Sequence, residues 1–337
     1  MWWRKPLLIF ALISLLGIFL AFAVNDYIQI LFLYIVVNSL LALGLNLVNG
    51  FTGQFSLGHA GFMAVGAYFA AYASLHWGFL QDGWKALEMI LFSLGGGLVA
   101  AVFGFIVGQP SLRLKGDYLA IVTLGFGEII RVILLNIQSL GGAIGISGIA
   151  PFPEIHFSTF TINRFLVSFF ICMTWGLICF VTLWRLKYSL HGKAFLSIRE
   201  DEIAAESVGV PTTKLKVRAF VISSFFAGVA GALFAHLTSI ITPGSFSFAD
   251  KSVSSIIMVV LGGMGSLTGS ILAAIFVTVL PELLRDLQNL LGIDIRMILF
   301  SATLILVMIF RPQGLLGERE IPDFINHFWK KYVRRAS

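Results

Sequence analysis

Long apolar runs separated by short polar breaks make up most of the chain, and the runs set the architecture. Hydrophobic stretches cover about residues 7–24, 27–49, 54–75, 87–108, 117–136, 164–184, 219–240, 252–280 and 297–310. A helix needs roughly 20 apolar residues to cross a bilayer, and most of these runs reach that length. They lack the two-residue alternation of barrel strands, and open sheets cannot satisfy their backbone groups in lipid. The pattern predicts an all-α polytopic membrane protein of about 8–10 spanning helices, folded as one transmembrane domain over residues 1–337. The first run leaves an alternative open. Arg4-Lys5, an apolar stretch and Ala21-Phe22-Ala23 also fit a cleavable signal, but an uncleaved first helix is favoured because many spans follow.

Composition agrees with this architecture: 58% of residues are hydrophobic and only 12% charged. The placement of charge says more than the net +6. Arg4 and Lys5 precede the first run, and Arg113 and Lys115 lie between the fourth and fifth. The segment 185–218 holds seven Lys/Arg against four acids, and Lys330, Lys331, Arg334 and Arg335 lie in a basic tail at 318–337. The segment 137–163 contains no Lys or Arg. The positive-inside rule then places both termini, 109–116 and 185–218 in the cytoplasm. The basic excess is thus a topology signal, and no nucleic-acid partner is needed to explain it. Outside the bilayer, 137–163 is either a solvated connector or a surface for an external partner.

Counting crossings exposes a conflict. Six spans return the chain to the cytoplasm at 185, and a seventh carries it outside near Pro243. A single crossing by 252–280 would strand the basic tail outside. A reversal at Gly262, Gly263, Met264 and Gly265 would resolve this by dividing 252–280 into two short re-entrant arms, since non-helical backbone is tolerated at depth where protein covers it. The alternative is that 241–251 or 281–296 contains a crossing that the apolar pattern hides. A second Gly-rich break runs from Asn49 to Gly61, and its Ser56-Leu57-Gly58 faintly echoes Ser266-Leu267 before Gly269. Paired interruptions of this kind can mark an inverted repeat with a pathway between its halves.

No phosphate-binding Gly-Lys-Ser/Thr loop, His-Glu-x-x-His pair or Cys/His cluster occurs, so ATP chemistry has no recognisable site in this chain. Energy for transport would come from an ion gradient or a partner. Ionisable residues inside spans suggest function by default. Glu128 and Arg131 lie three apart on the fifth run and can face each other, either as a proton-coupling carboxylate or as a neutralised pair that fixes packing. Gln54, Ser56 and His59 offer neutral polar groups that suit a path for a polar or zwitterionic solute, or that only satisfy freed backbone. Asn38 and Asn46 share a helix face and suit interhelical hydrogen bonding. Cys172 and Cys179 lie about two turns apart, roughly 10 Å, so they are expected as packing residues rather than a disulfide.

The polar segment 185–218 carries Arg199, Glu200, Asp201 and Glu202, then Ala204, Ala205 and Gly209. Acids at the start of a short helix suit the positive end of its dipole, and Gly209 followed by Pro211 ends it. The two alanines are expected to leave room for a docking protein.

Five segments carry a family likeness: Gly53–Ala60, Leu112–Leu124, Ile198–Ala205, Val259–Ser266 and Phe310–Leu315. In these the chain resembles the LivM-type permease subunits of ABC importers for branched-chain amino acids. Such permeases carry Glu-Ala-Ala-x-x-x-Gly on a cytoplasmic coupling helix. Ala204, Ala205 and Gly209 fall on its last three fixed positions, while Ile203 replaces the Glu and Glu202 stands one residue earlier. The resemblance implies a heterodimer with a second, related permease in the inner membrane. It also implies two cytoplasmic ATPase subunits, which would hold ATP and Mg, and an extracytoplasmic binding protein that delivers leucine, isoleucine or valine. No cofactor is expected in this chain. A permease for urea or short-chain amides is the nearest alternative. An ion-coupled carrier built on Glu128 would leave the capped helix without purpose, and a membrane enzyme would lack a catalytic cluster.

Overall fold

The computed structural model describes residues 24–78, 84–112, 116–157, 160–291 and 313–321, with positions 17, 21, 114, 301–302, 305–306 and 309–311. The expected first span at 7–24, the last at 297–310 and the tail beyond 321 lie largely outside the described residues. Ten α-helices run in chain order through the described residues: α1 Asp26–Asn46, α2 His59–His76, α3 Lys85–Ser111, α4 Asp117–Asn136, α5 Arg164–Lys187, α6 Leu190–Glu200, α7 Glu202–Ser207, α8 Thr212–Thr238, α9 Val253–Gly262 and α10 Leu267–Leu291. Among the described residues, six helices are long and apolar enough to cross a membrane: α1 with the π-turn after it, α3, α4, α5, α8 and α10.

α8 is the axis of the bundle. Its most apolar window is 78% buried, against 28% for α4 and 33% for α10, so α4 and α10 present most of their surface outward. Small residues allow this central position. A Cβ on Gly66 of α2 would stand 2.1 Å from the carbonyl oxygen of Gly228 on α8, and one on Gly231 would stand 1.9 Å from that of Met63. A Cβ on Gly96 of α3 would come 2.8 Å from the Gly66 carbonyl. Lipid offers no hydrophobic drive for one helix to seek another, so close backbone approach of this kind supplies the packing energy. Cys172 and Cys179 are free and fully buried on α5, as packing residues.

The helices exchange partners across the molecule. α2 and α3 pack on α8, whereas α9 and α10 pack on α1, and α1 and α8 pack on each other. α1 ends beside α6, where Gly50 meets Arg199; α8 starts from the α6–α7 loop and ends beside Ala150. The two central helices therefore run in opposite directions. The order helix, interruption, short helix, long helix occurs twice, as α1 to α3 and as α8 to α10, with opposite sense. In this correspondence residues 47–58 match 239–252. The Ser56-Leu57-Gly58 echo with Ser266-Leu267 and Gly269 therefore does not mark equivalent positions. Its two copies instead stand at the starts of α2 and α10, where Ser and Gly suit a helix N-terminus.

The reversal expected at Gly262, Gly263 and Gly265 is present, with Gly263 at φ 109° and Gly265 at φ 93°, conformations that favour glycine. Its arms are unequal, however. α9 has 10 residues and cannot span, whereas α10 has 25 and can. A pair of short arms is thus corrected to a half-helix followed by a full one. Helix α10 runs on through 281–291, a stretch whose charges broke the apolar pattern. Two other boundaries move. The run 54–75 begins its helix only at His59, after a non-helical stretch, and α8 begins at Thr212, so Lys214, Lys216 and Arg218 belong to its first turns.

The segment 137–163 is no free connector. Ile146–Ser147 (β1) pairs with Ile240–Ile241 (β4), Ile149 and Phe152 are buried, and Nδ1 of His236 bonds the Ala150 carbonyl at 2.9 Å. A hairpin of Ile155–Phe157 (β2) and Phe160–Ile162 (β3) follows.

Candidate translocation pathway and docking loop

The two interrupted segments meet inside the bundle. After the π-turn Leu47–Phe51, the chain is non-helical through 53–58 and wedges between α4 and the turn before α9. The Leu57 N–H donates to Thr123 Oγ1 at 3.0 Å, the Ser56 N–H to Asn49 Oδ1 at 3.1 Å, and the Ala60 N–H to Ser252 Oγ at 3.2 Å. Gly58 is required here, because a Cβ would lie 2.1 Å from the Thr123 carbonyl oxygen. Side chains from other segments thus satisfy backbone that helix would otherwise have satisfied.

Gln54, Ser56 and His59 are all buried in this wedge. Both amide atoms of Gln54, Ser56 Oγ and His59 Nε2 have no hydrogen-bond partner among the described residues. Buried polar atoms are normally paired, and leaving one unpaired costs about 1–3 kcal/mol. Such a concentration on six residues fits a route whose partners arrive with water or solute. Glu128 and Arg131 face each other as their spacing suggests, with Nε to Oε2 at 2.6 Å, and the other carboxylate oxygen accepts the Phe248 N–H at 3.3 Å. The pair therefore ties α4 to the 239–252 interruption, and both side chains are partly exposed.

The docking segment divides differently from its sequence pattern. Arg199 and Glu200 belong to α6, not to the short helix. Asp201 caps α7, accepting the N–H groups of Ile203 and Ala204 at 2.9 and 3.0 Å. Glu202 pairs with the buried Lys216 of α8 at 2.6 Å, so it braces the loop instead of reaching outward. Gly209 closes the element at φ 85°. Ala205 is buried against its own chain at 3% exposure, which corrects the expectation that both alanines face a partner. The open face carries Ala204, with Ile203 and Val208 at 68% and 80% exposure.

Sequence reasoning missed the contacts beneath this loop. Arg199 turns inward, donating to the Gly50 carbonyl at 3.0 Å and pairing with Glu318. Lys187 donates to the Gly265 carbonyl at 2.8 Å and pairs with the buried Glu320. That carboxylate also accepts the N–H groups of Leu267 and Thr268 at 3.0 and 2.9 Å, at the N-terminus of α10. The only signal in sequence was that Glu318 and Glu320 interrupt a basic tail. Among the described residues no group of three or more His, Cys, Asp or Glu could hold a metal ion.

An apolar bundle with two opposed interruptions, and a capped loop at one end, defines a polytopic membrane permease. Residues 27–308 match the family described as branched-chain amino acid transport system / permease component, and the chain belongs to that family. It is 40% identical over 299 residues to the high-affinity branched-chain amino acid transport system permease protein LivM of Escherichia coli K12, covering 82% of this chain and 67% of that one. It is 27% identical to the probable LivM of Methanocaldococcus jannaschii over 331 residues, 88% of this chain and 95% of that one. It is 24% identical to the permease protein LivH of E. coli K12 over 294 residues, 84% of this chain and 92% of that one. No solved structure matches.

Proposed function

We propose that this chain is one of two permease subunits of an ABC importer that carries branched-chain amino acids across the inner membrane. The first turn of α2 meeting the second interruption at Ala60 and Ser252, beside the unpartnered side-chain atoms of Gln54, Ser56 Oγ and His59 Nε2, carries the transport reading. Neutral donors and acceptors there can replace the hydration of a zwitterion without trapping it, as a full charge would. The solute class rests on the printed names of the relatives, and these favour amino acids over urea or amides. LivM and LivH are distinct permeases of one system in one organism, and both resemble this chain, which supports a second, related permease as partner.

The basic end, with α6, α7 and 313–321, faces the cytoplasm in this reading. If 7–24 and 297–310 each cross once and each interruption completes a crossing with its short helix, ten passes bring both termini to that side. Two ATPase subunits would dock there on the Ile203, Ala204 and Val208 face, holding ATP and Mg themselves. A binding protein would dock at the opposite end, near 137–163. An ion-coupled carrier has less support, because Arg131 and the Phe248 N–H already hold the Glu128 carboxylate.

Affinity purification of the tagged chain in mild detergent tests this. The expected result is a second permease and an ATPase, with leucine uptake in vesicles driven by ATP. A chain without an associated ATPase, under conditions that retain a control ABC complex, would overturn the importer reading. Uptake of urea but not leucine would overturn the solute class.

A further inference from the structure

At the loop end, the π-turn Leu47–Phe51 and the reversal at 262–266 touch backbone to backbone. A Cβ on Gly50 would lie 2.4 Å from the Gly265 nitrogen and 1.8 Å from Asn46 Oδ1, so nothing larger than hydrogen fits between the two turns. One cation from the α5–α6 region holds each turn by a carbonyl: Arg199 holds Gly50 and Lys187 holds Gly265. Arg199 also lies across the junction, 3.1 Å from where a Gly265 Cβ would stand, and its backbone packs on Gly53.

The strap formed by 313–321 then closes over this contact. The Leu315 and Leu316 N–H groups donate to the Leu261 and Gly262 carbonyls at 2.7 and 3.2 Å, satisfying the C-terminal end of α9. The Glu320 carboxylate satisfies the N-terminal end of α10, and Ser266 Oγ donates to the Arg319 carbonyl at 2.8 Å. A single short strap thus caps both helix ends at the reversal. Its two acids meet the same two cations that hold the glycines, Glu318 with Arg199 and Glu320 with Lys187. The pairs are unequal. Glu318 is 69% exposed, so water screens its pair, whereas Glu320 is 1% exposed and anchors the strap.

We propose that the Gly50–Gly265 contact is the loop-end gate of the pathway, with Arg199 and Lys187 as its positioning residues and the 313–321 strap as its latch. Arg199 sits two residues before the Asp201 cap of α7, so a partner that shifts α7 shifts the group holding Gly50. Opening separates the two glycines and lifts the strap off the reversal. The proposal rests on the importer reading for what moves α7, but the closed contact and its latch belong to this chain alone.

Ser266 reports the latch, because it is fully buried beneath the strap. Ser266→Cys, labelled with a membrane-impermeant maleimide, is read against the parent, whose Cys172 and Cys179 are buried. Met264→Cys, at a position 44% exposed, gives the rate for an open site. In the purified chain, Ser266→Cys is expected to react at least tenfold more slowly than Met264→Cys. Adding Glu320→Gln or Lys187→Met should bring the two rates together. The double charge removal serves if a single variant elutes as aggregate. Equal rates with and without these changes, in protein that elutes and melts as folded, would overturn the latch. In the purified complex, nucleotide trapping should speed Ser266→Cys labelling at least tenfold. Unchanged labelling while ATP-driven uptake proceeds would overturn the gate. A chain that binds no ATPase would overturn the importer reading instead, and the detergent measurement would still read the latch.

Discussion

The side-chain oxygen of Asn46 accepts the N–H of Gly265 at 2.9 Å, joining the end of α1 to a reversal 219 residues later. The same amide donates to the Ser266 carbonyl and to Ser270 Oγ, each at 2.8 Å. One fully buried side chain therefore serves three groups of the reversal, and it is the partner of the Gly265 N–H there. Asn38 makes the analogous bond to Thr278 on α10 at 2.9 Å, so both asparagines join α1 to the second repeat.

Asn46→Leu keeps the branched shape but leaves the Gly265 N–H unpaired, while the Ser266 carbonyl still accepts from Ser270. A buried unpaired group costs about 1–3 kcal/mol, so the variant should melt several degrees below the parent in detergent. Asn38→Leu, at a less buried site, should lose less. Fluorescence-detected thermal unfolding compares the two, and equal loss would show that burial does not set the cost.

Gly228→Leu should prevent α2, α3 and α8 from meeting. Its Cβ alone would lie 2.4 Å from the Ala100 Cβ and 2.6 Å from the Gly96 carbonyl oxygen. Overpacking of this kind costs about 1–3 kcal/mol even where neighbours can move, and here the Gly96 carbonyl and the Gly97 Cα, 3.1 Å away, are backbone. The expected result is loss of the monodisperse peak on size exclusion. Gly125→Leu on α4, where a Cβ meets nothing within 4 Å, should elute normally.

The docking face calls for a different substitution from the one its sequence suggests. Ala205→Trp would disrupt the loop from inside, whereas Ala204→Trp and Ile203→Lys alter only the open face. Both outer changes should cut ATPase co-purification at least tenfold while membrane insertion stays at the parent level. Retained ATPase with either variant would place docking elsewhere.

Acidity should reach the strap late. Burial alone would push the Glu320 carboxyl up. Bonds from Lys187, from the Thr268 hydroxyl and from the N–H groups of Thr268 and Leu267 outweigh it and hold the group below its ordinary value of 4.5. A depressed carboxylate contributes stability that is present above its unfolded value and lost as pH falls through its folded one. Glu320 should therefore contribute a constant amount between pH 8 and about pH 5, lost only below about pH 4.5. The thermal-unfolding difference between the parent and Glu320→Gln, followed against pH, checks this. A difference that shrinks between pH 7 and pH 6 would contradict it.

The sequence by itself determined the class of fold, because lipid admits no compromise on backbone hydrogen bonds. Most crossings must be long apolar helices, and a polar or Gly-rich break stands out against them. The helices α1, α3, α4 and α5, the reversal at Gly262–Gly265, the Gly209 stop and the Glu128–Arg131 pair were all legible as local patterns with a fixed period. Charge placement alone demanded an extra turn near 252–280. Tertiary structure decided what no period encodes. The inward turn of Arg199 depends on Gly50, the burial of Ala205 on the α7 cap, and the role of Glu320 on two helix ends that only folding brings together. α10 escaped the apolar pattern because Glu282, Arg285 and Asp286 interrupt its run, while its buried face still packs on α1. Helices arise from forces within a few residues of each other. The proposed gate and latch arise from single contacts between segments that lie from 52 to 219 residues apart.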